Sequence, residues 1–173
     1  MIQIYISYFY QIRFFKKNMI PISTALYDPK WYYNEHQGHF YKDRNGVYNG
    51  LRADILNPPK DICGECGKDC GQQIPCNFML NYKKYLNSLD FNDIIHRCEN
   101  IGNKIKLLEN FIEEPIIVLM VHEKTSCKCA ERPVLQEWFK ENNYELKEWV
   151  PEKQKSLYNK YNILGDVLDS TGE

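Results

Sequence analysis

Three features of the chain predict a single α/β domain with a mostly parallel sheet flanked by helices. Residues 116–121 read Ile-Ile-Val-Leu-Met-Val between Pro115 and His122, the unbroken apolar run of a central strand covered on both faces. A second β-branched and aromatic run spans Ile2 to Phe9, as a buried strand requires. Between and after these runs lie helical patterns, and strands alternating with helices imply parallel pairing through helical crossovers.

Each element follows from its local pattern. Met19 to Leu26 reads as a second strand, bounded by Lys16-Lys17-Asn18 and Asp28-Pro29. From Trp31 to Lys60 regular periodicity is missing, and Gly38, Gly46, Gly50, Asn57, Pro58 and Pro59 mark turns. A loop of this length is usually functional or covers something. Its aromatics Trp31, Tyr32, Tyr33, Phe40, Tyr41 and Tyr48 are expected to pack onto the body. Asn77 to Leu86 fits a helix through Phe78, Leu80, Tyr82 and Tyr85, with Met79 and Leu86 widening the apolar face. Asp90 caps the next helix, which turns Phe91, Ile94, Ile95 and Cys98 inward. Pro133 to Glu141 carries Pro in its first turn and Val134, Leu135, Trp138 and Phe139 toward the core. Tyr144 to Val150 is a short alternating strand. The domain is expected over 1–150, with a cysteine-rich insert at 57–76 and a polar, Lys-rich tail over 151–173.

Composition narrows the classes of function. The chain has 173 residues, enough for one domain with one sizeable core, and its 43% hydrophobic content argues against disorder. A formal net charge of -1 lacks the footprint of a strong general nucleic-acid binder, although a local basic patch is compatible with it. The longest apolar stretch, Pro115 to Val121, is far below the roughly 20 residues that span a bilayer. Met1 to Phe15 is interrupted by Gln3, Gln11 and Arg13, and it lacks a basic leader and a small-residue cleavage site, which speaks against a signal peptide. With an odd count of seven cysteines and no export signal, metal ligation is expected over disulfides, and a cytoplasmic location follows.

Cys63, Cys66, Cys70 and Cys76 fall in one short segment with Gly64, Gly67 and Gly71. Zinc takes four soft ligands in a tetrahedron, and Cys-x-x-Cys supplies two from one tight turn. Glycine permits the positive φ angles of such a turn. The expected cofactor is therefore one structural zinc ion on these four residues, with Cys127, Cys129 or a histidine as a substitute for one of them. The competing readings are unrelated buried thiols, or a redox pair at Cys63 and Cys66.

In a parallel sheet the carboxyl ends of the strands share one edge, where ligands usually bind. Those ends carry Ser7, Tyr8, Phe9, Ser23, Thr24, His122 and Glu123. The last helix begins near Cys129, Glu131 and Arg132. A helix N-terminus prefers an acid, so Arg132 there suggests an anion held between its guanidinium and free backbone N–H groups. The alternative is that Glu131 supplies the favourable charge and Arg132 pairs with it or with another acid. Cys129, beside the same terminus, is a candidate nucleophile, a metal ligand with Cys127, or a small buried residue. No general base is pinned beside it. His122 reads equally as a satisfied structural group.

Tyr8-Phe9, Pro21-Ile22-Ser23 and Pro29-x-Trp31 resemble the N-terminal pattern of the domain-of-unknown-function family 488. The late strand, Cys129-x-Glu131-Arg132 and the helix bearing Trp138 resemble its C-terminal signature. In much of that family the late motif reads Cys-His-Arg. Here Ala130-Glu131 separates Cys129 from Arg132, so no role for that histidine carries over. The resemblance covers most of 1–150 and implies an α/β domain without a settled substrate, the cysteine-rich insert marking a subset.

Two functions of different class are compatible with these residues. In the first, Ser7, Tyr8, Ser23, Trp31, Glu131 and Arg132 hold a phosphate-bearing ligand, a nucleotide or nucleic acid, with Cys129 and Arg132 as catalytic candidates and the tyrosine-rich loop stacking on a base. In the second, the chain is a zinc-stabilised module without chemistry, whose exposed Trp31, Tyr33 and Tyr48 form a protein-binding patch. A thiol redox protein using Cys63 and Cys66 is a third reading.

Overall fold

The computed structural model describes residues 2–32, 40–63, 73–122 and 129–152. In chain order the elements are β1 (Gln3–Tyr8), a 3-10 helix (Phe9–Phe14), β2 (Met19–Ser23), a 3-10 turn (Lys30–Tyr32), the hairpin strands β3 (Tyr41–Lys42) and β4 (Tyr48–Asn49), and a 3-10 turn (Asp54–Leu56). There follow α1 (Lys60–Cys63), α2 (Asn77–Leu86), α3 (Phe91–Glu109), β5 (Ile116–Val121), α4 (Glu131–Glu141) and β6 (Lys147–Glu148). The main sheet is wholly parallel, in the order β2-β5-β1-β6, so the predicted α/β class holds.

The apolar run at 116–121 is the strand between β1 and β2, and its last five residues are buried. Side chains alternate across a sheet, and the alternation divides the core. Ile4, Ile6, Ile20, Ile22, Ile117, Leu119 and Val121 meet Val134, Leu135, Trp138 and Phe139 of α4 and the inner faces of α2 and α3. Met19, Val118 and Met120 meet Phe9, Ile12, Phe15, Tyr32 and Val47 on the other side. One face is therefore covered by helices and the other by a thin layer of 3-10 helix, aromatic loop and hairpin. The β1–β2 connection crosses the second face in one direction, and the connections through α2–α3 and through α4 cross the first face in the opposite direction. All three thus share one hand, as parallel crossovers do.

The differences from expectation have local causes. β2 ends at Ser23 rather than Leu26 because the Ser23 hydroxyl accepts from the Ala25 amide (3.2 Å) and turns the chain. β6 is only two residues long: the Tyr144 hydroxyl, not a backbone carbonyl, accepts from the Ile4 amide (2.9 Å). Leu80 points outward and Met79 inward on α2. The described part of the loop, 31–32 and 40–60, packs onto the body through Tyr32, whose hydroxyl donates to the carbonyls of Leu51 (2.7 Å) and Pro21 (3.1 Å), while Trp31 and Phe40 stay half exposed and Tyr33 lies outside the described residues. Residues 51–53 then run along the outer edge of β2, with the Ser23 amide donating to Leu51 (2.9 Å) and the Ala53 amide to Ser23 (2.8 Å). That segment occupies the edge hydrogen-bonding groups at the carboxyl end of β2. Among the described residues no helix is long and apolar enough to cross a membrane.

Asp90 caps α3 as expected, accepting from the amides of Asn92 (2.9 Å) and Asp93 (3.3 Å). Asn110, in the left-handed region at φ 51°, ends the helix. Asp90→Ala is expected to lower the unfolding free energy by about 1 kcal/mol, measured by denaturant titration.

Candidate functional site

The residues expected to form one site at the sheet edge fall on two sides of it. Ser7 and Ser23 are both in register with Met120, so all three side chains face the thin aromatic layer. Glu148 is in register with Ile6, and α4 packs on the Ile6 face. Arg132 and Cys129 therefore belong to the helical side. The alternation of parallel strands separates the serines from Arg132, and the structure does not assemble them around one anion.

Each of these residues also has an internal role. The Arg132 guanidinium is buried, with Nε 2.9 Å from Oε2 of Glu148. This is the pairing with another acid that the sequence left open, and the partner is Glu148 of β6 rather than Glu131. Glu131 is itself buried, in the first turn of α4. Ser7 Oγ donates to the Trp149 carbonyl (3.0 Å) and fixes the chain after β6. The Tyr8 hydroxyl accepts from Gln11 Nε2 (3.0 Å). Ser23 Oγ donates to Asp28 Oδ1 (2.5 Å), and Asp28 Oδ2 lies 2.5 Å from the Arg52 guanidinium. Arg52 also donates to Asp54 (2.9 Å) and to the Ala25 carbonyl (3.0 Å). Burial acts to lower the Arg52 pKa, but Asp28 and Asp54 outweigh it and the net shift is upward. His122 Nε2 meets the Tyr27 carbonyl, and its ring packs 5.1 Å from Phe9, the structural role.

Of the expected metal ligands, Cys66 and Cys70 lie outside the described residues, as does Cys127. Cys63 is the last residue of α1, and Cys76 is the buried N-cap of α2. Cys129 comes from the far end of the chain, and its sulfur lies 2.7 Å from that of Cys76. Among the described residues, no three His, Cys, Asp or Glu residues gather around one point.

Trp31 leads to a different feature. It is half exposed and lines a groove of about 550 Å³ with Phe9, Tyr10, Arg13, Tyr41 and Arg44, closed below by the Asp43–Asn49 hairpin. One end lies at the carboxyl ends of β1 and β5, where Trp31 packs edge-on to Phe9. The other lies at the hairpin tip, where Asn45 Nδ2 donates to the Arg13 carbonyl (3.3 Å). Gly46, at φ 77°, makes that turn. The charge facing the groove is positive. Asp43 is occupied by the amides of Asn45 (2.8 Å) and Val47 (3.1 Å) and by Asn49 Nδ2 (3.2 Å). Lys42 is held by Glu109 (2.5 Å). Among the described residues no ion pair involves Arg13 or Arg44, and both are exposed. The Arg13 guanidinium lies 3.6 Å over the Tyr10 ring, which is stacked in turn on Tyr8. The signal for this groove stands in the sequence as aromatics interleaved with bases, Tyr8-Phe9-Tyr10-Gln11-Ile12-Arg13-Phe14-Phe15-Lys16-Lys17. It does not show that the segment folds back as a 3-10 helix against a hairpin.

The hairpin is tied to the end of α3 through Glu109, which accepts from Lys42 and from the Tyr48 hydroxyl. Lys42 first, and Tyr48 second, hold the Glu109 carboxyl below its usual range. Burial, and then Glu109, pushes the Tyr48 hydroxyl up to about 12. No family model matches the chain, and no curated protein or solved structure matches it.

Two outcomes follow. A depressed carboxylate stabilises the fold above its unfolded pKa and loses that contribution as pH falls through the folded value. The tether should therefore weaken only below about pH 4, and Glu109→Gln should remove this part of the acid dependence of the melting temperature. For the buried ion pair, Arg132→Met or Glu148→Gln leaves one partner uncompensated and should cost about 3–5 kcal/mol. The double variant should recover part of that loss in denaturant titrations.

Proposed function

We propose that this chain binds a phosphate-bearing ligand that carries an aromatic base, a nucleotide or a short single strand, in the groove between Trp31, the 3-10 helix and the hairpin. The observation that carries this reading is the half-exposed ring of Trp31 beside the exposed guanidinium groups of Arg13 and Arg44 in one groove. Rings supply a sequence-tolerant stacking platform, and arginine forks match phosphate oxygens. The exposed Lys16 and Lys17 extend the positive field beyond the hairpin tip. The ligand class is the one expected from the sequence, and Trp31 and Tyr8 keep their place in or beside the site. Ser7, Ser23, Glu131 and Arg132 serve the fold, and Cys129 takes no part in this groove, so the proposed activity is binding rather than catalysis.

A protein-binding patch would use the same exposed rings, and salt separates the two readings. Affinity for a phosphate ligand falls steeply as salt rises, whereas an apolar protein contact persists. Titration of a labelled single-stranded oligonucleotide, a nucleoside triphosphate and inorganic phosphate should give binding by the base-bearing ligands and none by phosphate alone. Trp31→Ala should weaken binding by about 5- to 150-fold, as loss of one stacking ring does. Arg13→Ala should weaken it and flatten its salt dependence. Neither exposed substitution should move the melting temperature appreciably. Wild-type affinity in both variants, or no binding of any base-bearing ligand, would sink the proposal.

A further inference from the structure

The groove runs along the thin face of the sheet for the length of its strands. Its Trp31 end lies at the carboxyl ends of β1 and β5. Its other end, the hairpin tip, reaches the opposite edge, where a methyl group on Gly46 would lie 3.6 Å from the Lys17 Cβ. Lys17 precedes Met19, which is in register with Ile116, the first residue of β5. At about 3.3 Å per residue, the six residues of β5 separate the two ends by about 20 Å. Cations are strung along that length. Lys30 adjoins Trp31, Arg13 and Arg44 line the middle, and Lys16 and Lys17 stand at the tip. All of them are exposed, and among the described residues none enters an ion pair. Arg13 is held in place by its own helix. Residues three apart eclipse in a 3-10 helix, and the guanidinium carbon sits 3.6 Å from the Tyr10 ring centroid and 4.6 Å from that of Phe14. A guanidinium resting on rings loses less freedom when it meets a phosphate.

Building on the groove reading above, we infer that the ligand is a single nucleic-acid strand of about four or more nucleotides, not a free nucleotide. The phosphates of a free nucleotide form one cluster, which Arg13 and Arg44 would absorb while Lys30 and the Lys16–Lys17 pair stood idle at the two ends. An extended strand carries a phosphate at every step. It therefore meets the whole row, and each phosphate neutralised releases counterions. Trp31 restricts the strand to an unpaired one. It is half exposed and stands at right angles to Phe9 and Tyr32, stacking on neither, so it offers a ring to a splayed base. Bases inside a duplex already stack on their neighbours and have no free face to give. Recognition by backbone charge and one ring tolerates any sequence. The formal net charge of -1 does not register this row, because net charge sums the acids of every face.

The test is calorimetric titration of the full chain with thymidine strands from one nucleotide to about eight, beside a duplex of the same length and inorganic polyphosphate. Affinity should rise at least about tenfold from the mononucleotide to the tetramer and level off by about eight nucleotides, when groove and tip are filled. For the longest strand, log affinity should fall with log salt at a slope of about -3, as about four neutralised phosphates imply. The double variant Lys16→Gln, Lys17→Gln lies outside the groove. It should weaken the longest strand at least about threefold and leave the mononucleotide unchanged. Lys30→Gln repeats the test at the other end if the double variant does not fold. Duplex and polyphosphate should bind at least about tenfold more weakly than the longest strand. A mononucleotide as tight as the longest strand, or no loss in either lysine variant, would overturn the inference and leave the groove reading standing. Duplex or polyphosphate binding as tightly as the strand would overturn it too. Failure of every base-bearing ligand would overturn both readings.

Discussion

The rest of the structure depends on the burial of β5 on both faces at once. Val118, Leu119, Met120 and Val121 are wholly inaccessible, and each such side chain contributes about 1.5–3 kcal/mol when taken from water. An apolar strand of this kind needs a neighbour on each side and a cover on each face. β1 and β2 supply the neighbours in matching register. Helices cover one face, and the 3-10 helix, Tyr32 and Val47 cover the other.

That two-sided burial also decides which polar groups can meet. Arg132 and Glu148 face each other because α4 lies on the face toward which Ile6, and hence Glu148, points. Their pairing consumes a guanidinium that a helix start would otherwise offer to an anion. Ser7 and Ser23 point the other way, where they anchor Trp149 and Asp28. The thin cover on that face leaves Tyr10, Arg13, Trp31 and Arg44 at the surface. A second layer of helix there would have buried the rings and excluded the bases. The positions of the groove and of the Cys76–Cys129 pair, on opposite faces, follow from the same alternation.

The elements were largely legible from local pattern. Strands β1, β2 and β5, helix α2, the Asp90 cap and the inward face of α4 each rest on residues adjacent in sequence, where periodicity of two or 3.6 carries the information. The hairpin was not, because two-residue strands are shorter than any period that can be counted. The candidate site was legible in its chemistry but not in its assembly. Trp31 stood out as an aromatic in a long loop, while Tyr10 and Arg13 lie between the two expected N-terminal strands, in a stretch that local pattern assigns to no element.

By itself, then, the sequence determined the fold class, the crossovers, the identity of the core and a supply of cysteines, aromatics and bases, because these follow from composition and short-range spacing. Only the tertiary structure decided the partners. It set Arg132 against Glu148, Cys129 against Cys76, and Trp31 beside Arg13 and the hairpin. The reason is physical: which face a side chain takes is local, but what waits on that face depends on strand order and register, and those are settled by the packing of the whole sheet.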